Sequence, residues 1–269
     1  MHLAKHMNRA ISSCQLVMNM FRRHGTIRTL TLLLQQANAR GPKVTDTPIR
    51  ALRYCFSSWE AWKERGIDRR FNTDTGGRVL LDGLDFEHEN KVYGNRCEPT
   101  TKGDFMRIMD CLPKDLSGYT FIDFGCGKGR AMLLAAERGF KKIIGLEFAP
   151  ELAEIARSNA EKLRSKTGDE RLEIVTVDAS AFDIPEECSV LYFFNPFRSE
   201  VSSVVADNIR RSWVAKPRDM FLIWHNVCEG ATPFYNLADF SPIAGHIGPD
   251  LPLLTREFVI FKSREIKTL

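Results

Sequence analysis

The sequence lacks the features that would place the chain in a membrane or tie it together with crosslinks. Its longest apolar runs, such as 30–34 and 190–194, are far shorter than the roughly 20 residues that a membrane-spanning helix needs. Its seven cysteines are scattered singly without a C-x-x-C pair, and its six histidines show no ligand spacing. We therefore expect no membrane segment, free thiols in a reducing, cytoplasmic compartment, and no metal site.

Acidic residues are almost absent from the first 50 positions. This segment holds eight Lys or Arg residues and one acid, Asp46, which leaves 30 basic and 33 acidic residues for the rest of the chain. Such a segment fits a solvated helical face, an organelle transit peptide or a surface for an anionic partner. The slightly acidic remainder does not support general nucleic-acid binding.

The pattern of apolar residues predicts strands that alternate with helices from residue 105 onward. We expect amphipathic helices at 30–39 and 51–64 and a loop-like stretch at 66–101. The predicted strands are 119–124, 142–147, 172–177, 190–194, 220–225, 240–244 and 256–262, and the helices between them are 105–112, 131–138, 150–163, 201–213 and 229–238. This order predicts an α/β fold with a doubly wound, mostly parallel seven-stranded sheet. Because only a loop joins the last two strands, they should form an antiparallel pair at the sheet edge.

A glycine-rich turn, Asp123-Phe124-Gly125-Cys126-Gly127-Lys128-Gly129, lies between a predicted strand and a predicted helix. Glycines there let the backbone turn tightly and approach a ligand, and the free N–H groups of the helix point at the same place. A dinucleotide site would have the spacing G-x-G-x-x-G. Here the spacing is G-x-G-x-G, and Asp123 would repel a pyrophosphate but attract an ammonium group.

Two further acids follow the next two predicted strands. Glu147 ends one strand, where a carboxylate can accept hydrogen bonds from both hydroxyls of a ribose. Asp178 follows the other, where it can accept from the exocyclic amine of an adenine. Since the carboxyl ends of parallel strands meet at one edge, we expect Asp123, Glu147 and Asp178 to surround a shared cleft.

With these residues in view, 119–197 resembles the class I S-adenosylmethionine-dependent methyltransferases. More narrowly, the chain is similar over about 71–226 to the non-SET protein-lysine methyltransferases of the histone type and to their bacterial relatives. The motifs that carry this likeness are Val92-Tyr93-Gly94, Glu98-Pro99-Thr100, the glycine turn, Gly145-Leu146-Glu147 and Asn195-Pro196-Phe197. The resemblance implies S-adenosyl-L-methionine as cofactor and a Rossmann-like methyltransferase fold with a helical N-terminal extension.

The resemblance also implies a set of site residues, in which Thr100 closes over the methionine end. The implied cofactor residues are Thr100, Asp123, Gly125, Cys126, Gly127, Gly129, Glu147, Phe148, Asp178, Ala179 and Asn195. Asn195, Phe197 and Tyr93 are the predicted catalytic residues, because an amide oxygen and aromatic faces suit the placement of a neutral amine. The alternative for this strand end is that Phe197 packs into the core and Asn195 caps a turn.

These observations predict a basic helical extension at 1–70, a loop-rich cofactor lid at 71–104 and a methyltransferase domain at 105–269. The expected activity is methyl transfer to an amine, with protein lysine as the leading acceptor. Methylation of a small molecule at nitrogen or oxygen, and a non-catalytic S-adenosylmethionine-binding module, remain alternatives. The sequence leaves open the acceptor, the number of methyl groups and the oligomeric state.

Overall fold

The computed structural model describes residues 65–246 and 257–264, which contain one seven-stranded sheet. The order across the sheet is β3-β2-β1-β4-β5-β7-β6. Parallel pairing joins the first five strands, and β7 pairs antiparallel with both β5 and β6. The strands are β1 (Thr120–Phe124), β2 (Lys142–Glu147), β3 (Leu172–Thr176), β4 (Cys188–Phe194), β5 (Phe221–His225), β6 (Phe240–His246) and β7 (Phe258–Ser263). The predicted mostly parallel sheet with an antiparallel edge is confirmed.

Helices cover both faces of the sheet because successive strand residues point to opposite sides. Phe121 of β1 belongs to one buried apolar cluster, whereas its neighbour Ile122 belongs to a second cluster. The helices are α1 (Lys102–Met109), α2 (Arg130–Ala136), α3 (Pro150–Thr167), α4 (Ser199–Ala215) and α5 (Thr232–Tyr235). Apolar residues of α1, α2 and α3 join the first cluster, and those of α4 join the second. This arrangement buries β1 completely and fixes the strand tips at one edge.

The predicted boundaries of the strands agree with the structure to within a few residues, and β2 agrees at both ends. Helix α3 begins at Pro150, as predicted, and ends at Thr167, where Gly168 adopts the left-handed conformation that favours glycine. No helix within 65–246 and 257–264 is long and apolar enough to cross a membrane. The helices predicted at 30–39 and 51–64 lie outside the described residues.

Two predictions need correction. The helix expected over 229–238 is a 3-10 turn at Glu229–Ala231 followed by the short helix α5. Pro233 lies in the first turn of α5, where its missing N–H is tolerated, so it starts a new helix instead of continuing an earlier one.

The stretch 66–101 is not uniformly loop-like, because residues 65–71 are helical and 3-10 turns occupy Leu81–Gly83 and Glu89–Tyr93. Burial of Ile67 and Phe71 in the first core cluster stabilises the helical part, a tertiary contact without a local signal. Helix α1 also starts three residues earlier than predicted, because the Thr101 side chain accepts from the Asp104 N–H and caps it.

Candidate functional site

The glycine turn follows β1 and folds back over the end of β2. The N–H groups of Gly125 and Cys126 both donate to the carbonyl oxygen of Leu146 at 2.9 Å. Gly125, Gly127 and Gly129 have φ angles of 77°, 54° and 85°, which residues with a side chain rarely adopt. A Cβ atom added to Gly125 would lie 2.7 Å from Cβ of Pro196. Glycine is therefore required here both by the backbone conformation and by the close approach of the segment after β4.

Two cavities open at the carboxyl edge of the sheet, and Gly125 lines both of them. The first, which we call the nucleoside cavity after the part of the cofactor predicted to occupy it, has an empty volume of about 380 Å³ that includes open solvent. Its lining is mostly apolar, with one acid: Asn90, Gly94, Gly125, Leu146, Phe148, Val177, Asp178, Ala179, Pro196, Phe197 and Val201. Such a lining suits a flat, largely apolar ring system with a few polar edges.

The second cavity, which we call the methionine cavity, has an empty volume of about 310 Å³ on the same definition. Its lining carries both signs of charge, because it includes the acids Asp123 and Glu98 and the cations Lys128 and Arg130. Thr100, Tyr192 and Phe194 also line this cavity. Lys128 donates to Asp74 and Arg130 to Asp68, so residues upstream of the fold hold both cations in place. A group that carries an ammonium and a carboxylate matches this distribution of charge.

Asp123 is the buried acid of the methionine cavity. Burial, reinforced by the negative charge of Glu147, raises the pKa of Asp123 to about 8. Ionisation of Asp123 is therefore unfavourable in the ligand-free protein near neutral pH. A cation that enters the cavity would offset this cost, which makes Asp123 a selective partner for a positively charged group.

Glu147 is buried at the end of β2, and both oxygens of its carboxylate accept backbone hydrogen bonds. Oε2 accepts from Gly127 N at 2.8 Å, and Oε1 accepts from Ala149 N at 2.9 Å. Burial raises the pKa of Glu147, although these hydrogen bonds oppose the increase. Glu147 thus stabilises the glycine turn without a ligand. Each oxygen of its carboxylate keeps a second lone pair that a ligand hydroxyl can use.

Asp178 follows β3 and lines the nucleoside cavity. Its carboxylate accepts from the N–H and hydroxyl of Ser180 at 2.7 and 2.6 Å and from Asn90 Nδ2 at 2.7 Å. Burial alone would raise the pKa of Asp178, but these hydrogen bonds outweigh it and lower the pKa. Asp178 therefore stays ionised and in a fixed orientation.

The segment after β4 is held by residues about 100 positions earlier in the chain. Asn195 has a φ of 43°, and Nδ2 of Asn95 donates to both its backbone oxygen and its Oδ1 at 3.0 Å. Asn95 N donates to Pro196 O, and Arg198 N donates to Tyr93 O, both at 2.9 Å. This strand-like clamp orients the Asn195 amide at the sheet edge, where strained backbone is typical of functional residues.

A chain of polar groups runs from the methionine cavity into the core. Thr100 Oγ1 lies 3.0 Å from Tyr192 OH, which lies 2.7 Å from His225 Nδ1. His225 Nε2 lies 3.8 Å from Asp104 Oδ2. Thr100, Tyr192, His225 and Asp104 are all buried, and the ring of Phe194 stacks on His225 with 4.4 Å between centroids.

The structure brings most of the predicted cofactor residues to the two cavities. Gly125, Phe148, Asp178 and Ala179 line the nucleoside cavity, and Thr100, Asp123, Gly125 and Cys126 line the methionine cavity. Glu147 and Gly127 are hydrogen-bonded to each other and support the glycine turn between the two cavities. Gly129 lies farther back, at the N-terminal cap of α2, where its φ of 85° favours glycine.

Of the three predicted catalytic residues, one packs among buried aromatic rings and two lie in the backbone contacts after β4. Phe197 is buried against Phe193 and Trp224 and lines the nucleoside cavity, and Asn195 and Tyr93 belong to the clamp after β4. Their catalytic roles stay predictions.

Sequence reasoning missed Asn90, Asn95 and Tyr192. Asn90 and Asn95 lie in an irregular stretch without periodicity, so no local pattern indicates their partners. Tyr192 sits inside an apolar strand and is distinguished only by its hydroxyl.

Residues 115–188 match a family model described as "Methyltransferase domain". Ribosomal protein L11 methyltransferase of Escherichia coli (strain 55989 / EAEC) is 39% identical over 112 residues, which cover 38% of this chain and 37% of that protein. The protein of the same name from Tolumonas auensis is 37% identical over 89 residues, which cover 33% of this chain and 27% of that protein. The chain thus spans well under half the length of these curated relatives.

Among solved structures, a putative methyltransferase from Streptococcus mutans in complex with SAH aligns with a TM-score of 0.48 at 12% sequence identity. The alignment covers 60% of this chain and 98% of that chain.

Proposed function

We propose that this chain, whose residues 115–188 match a methyltransferase-domain model, is a class I S-adenosylmethionine-dependent methyltransferase that transfers a methyl group to an amine, with protein lysine as the acceptor. One observation carries the proposal. Gly125 lines two cavities of different character. One is mostly apolar with an acid, Asp178, and the lining of the other includes a buried acid, Asp123, together with Lys128 and Arg130. This division matches a cofactor with an adenosine end and a zwitterionic amino-acid end.

The residues of the two cavities would hold the cofactor by complementary chemistry. Asp178 would accept from the adenine amine, Glu147 from the ribose hydroxyls, and Asp123 from the ammonium. Lys128 and Arg130 offer positive charge to the carboxylate. The glycines of the turn leave room where a Cβ atom would collide, as the distance from Gly125 to Pro196 indicates.

When bound, the cofactor supplies a methyl group on a positively charged sulfur. An uncharged amine can attack the methyl carbon in line and displace the sulfur. The chain's own task is therefore to place the amine and to keep it neutral. The amide oxygen of Asn195 can accept an N–H of the amine in place of the Cys228 thiol, which donates to it at 2.7 Å, and this leaves the nitrogen lone pair free for the methyl carbon. Asn95 holds that amide in one orientation. An aromatic neighbour such as Phe194 excludes water and favours loss of the proton from a lysine.

The proposal of a protein acceptor is supported by the names of the curated relatives, which refer to a ribosomal protein. The irregular stretch between residues 72 and 101 forms one side of the site and lies at the surface, where a protein segment could reach it. Val92 is 69% exposed beside Tyr93 and offers an apolar contact at this rim.

The first test is calorimetric titration of the full chain with S-adenosylmethionine and S-adenosylhomocysteine. Both should bind, and failure of both would remove the proposal.

The second test incubates the protein with cell extract and methyl-labelled cofactor, with the Asn195→Gly variant, which keeps the backbone conformation, as the matched control of low activity. Label should enter protein bands and appear as methyl-lysine after hydrolysis. Label confined to small molecules, or to another amino acid, would contradict the lysine acceptor.

A further inference from the structure

A buried asparagine on α3 connects two segments that are far apart in the sequence. Asn159 is 1% exposed, and its side-chain amide forms hydrogen bonds to the backbone of both segments. Oδ1 accepts from Asp74 N at 2.9 Å, and Nδ2 donates to Asp74 O at 2.8 Å and to Lys128 O at 2.9 Å. Both hydrogens of Nδ2 are therefore used. One side chain thus holds the irregular stretch that begins at residue 72 against the glycine turn.

The two segments that Asn159 connects form walls of the methionine cavity. Thr75 lines this cavity from the irregular stretch, and Lys128 lines it from the glycine turn. Lys128 Nζ donates to both carboxylate oxygens of Asp74, at 3.1 and 3.0 Å, and to the carbonyl oxygen of Gly76 at 3.1 Å. The place of the Lys128 ammonium group therefore depends on where Asn159 holds Asp74. Asn159 itself lines neither of the two cavities, so it acts through these neighbours.

The same irregular stretch is attached to the nucleoside cavity by other residues. Asn90 and Asp178 both line that cavity, and Asn90 Nδ2 donates to Asp178 Oδ2 at 2.7 Å. The ring of His88 accepts from the backbone N–H of Asn90 at 3.1 Å and so caps this turn locally. These hydrogen bonds share no residue with those of Asn159. Because networks without shared partners act nearly independently, a change at Asn159 should leave the nucleoside cavity in place.

We infer that Asn159 is a positioning residue for the amino-acid end of the cofactor, because it sets the separation between the two walls that would receive this end. The Asn159→Ala substitution would leave two backbone groups of Asp74 and one of Lys128 without their partner. Unpaired polar groups are costly when they are buried, and movement of the irregular stretch away from the turn would relieve that cost. The methionine cavity would then widen, and the ammonium group of Lys128 would shift with Asp74. The inference rests on the proposed function, since it concerns the same cofactor.

The test compares two ligands that share the adenosine end. S-adenosylhomocysteine carries the amino-acid part, whereas 5′-methylthioadenosine has a methyl group in its place. In calorimetric titrations of the full chain, Asn159→Ala should weaken the binding of S-adenosylhomocysteine about tenfold, the scale expected when buried groups lose their hydrogen bonds. The affinity for 5′-methylthioadenosine should change less than about twofold.

Asn90→Ala is the matched control, because it removes an amide of the same kind from the nucleoside side. It should weaken both ligands by the same factor, since both contain adenine. Asn159→Asp is the second variant if Asn159→Ala folds poorly. It keeps the size of the side chain and the acceptor for Asp74 N, but it removes the donor to Asp74 O and Lys128 O, and it should show the same selective loss.

Equal losses for both ligands in the variants of Asn159 would assign this residue a merely structural role and overturn the inference. An unchanged affinity for S-adenosylhomocysteine would overturn it as well. Failure of the wild-type chain to bind either ligand is a different result, because it would overturn the proposed function itself.

Discussion

The two halves of the sheet edge are built by different means. On one side, the tips of β1, β2 and β3 carry Asp123, Glu147 and Asp178. Glu147 accepts from the backbone of Gly127 and Ala149, and Asp178 accepts from Ser180 and from the more distant Asn90. On the other side, the tip of β4 is shaped by the clamp from residues 93–95, about 100 positions away. We call these the cofactor half and the acceptor half, after the roles that we propose for them. The contacts of the cofactor half stay mostly close in sequence, whereas those of the acceptor half depend on a distant loop that the fold brings to the site.

The largest effect should come from a substitution at Gly125, where the two halves touch. Gly125→Ala combines a left-handed φ of 77° with a Cβ contact of 2.7 Å to Pro196. We expect the free energy of unfolding to fall by about 2–5 kcal/mol in urea titrations, together with loss of cofactor binding. Gly118→Ala is the matched control, because nothing lies within 4 Å of its added Cβ. If both variants were equally stable, the close contact between Gly125 and Pro196 would not be needed for the stability of the fold.

A smaller effect, confined to the acceptor half, should follow from Asn195→Gly. Glycine tolerates the φ of 43° at this position, so the change removes the amide without backbone strain. We expect the rate of methyl transfer to fall by about 100-fold, because the amine loses its positioning group, while the affinity for S-adenosylhomocysteine changes little. Asn72→Gly is the control, since Asn72 also has a positive φ, of 56°, and is exposed. A parallel fall in affinity would instead assign Asn195 to the cofactor half.

The smallest effect, confined to the cofactor half, concerns Asp123→Asn. We expect the affinity for S-adenosylhomocysteine to fall about tenfold, the usual scale for a charged hydrogen bond. Because the pKa of Asp123 is raised to about 8 by burial and by Glu147, binding of the ligand's ammonium group near pH 7 should release a proton in the wild-type protein. Binding enthalpies measured in buffers of different ionisation enthalpy report that proton, and the variant should lose it.

The same pKa has a consequence for the stability of the ligand-free protein. An acid whose folded pKa exceeds its unfolded value makes folding take up a proton, so the contribution of Asp123 to stability is complete at acid pH and falls as the pH rises toward about 8. The unfolding free energy of Asp123→Asn, relative to wild type, should therefore increase between pH 5 and pH 8. A constant difference across this range would contradict the raised pKa.

Prediction from sequence succeeded where local pattern and structure agree. The apolar runs at 142–147 and 190–194 are buried strands, and Asp123 and Asp178 line the two cavities at the tips of β1 and β3. The prediction from sequence failed at 65–71, which are helical although a loop-like stretch was expected from residue 66. It also failed at 229–238, where Pro233 starts a separate short helix in place of the single helix that was expected. Asn95 and Tyr192 could not be predicted as site residues, because their partners Asn195 and His225 are distant in sequence.

Local sequence is enough to predict the alternation of strands and helices, the glycine turn and the three acids at neighbouring strand tips, because period, spacing and turn chemistry are local properties of the chain. Contacts across the fold are needed to establish that Gly125 lines two cavities of different character, that Asn95 orients Asn195, and that Thr100 is linked through Tyr192 to His225. These relations depend on the order of strands in the sheet and on the path of the upstream loop, which pairwise contacts across the fold establish and no single segment encodes.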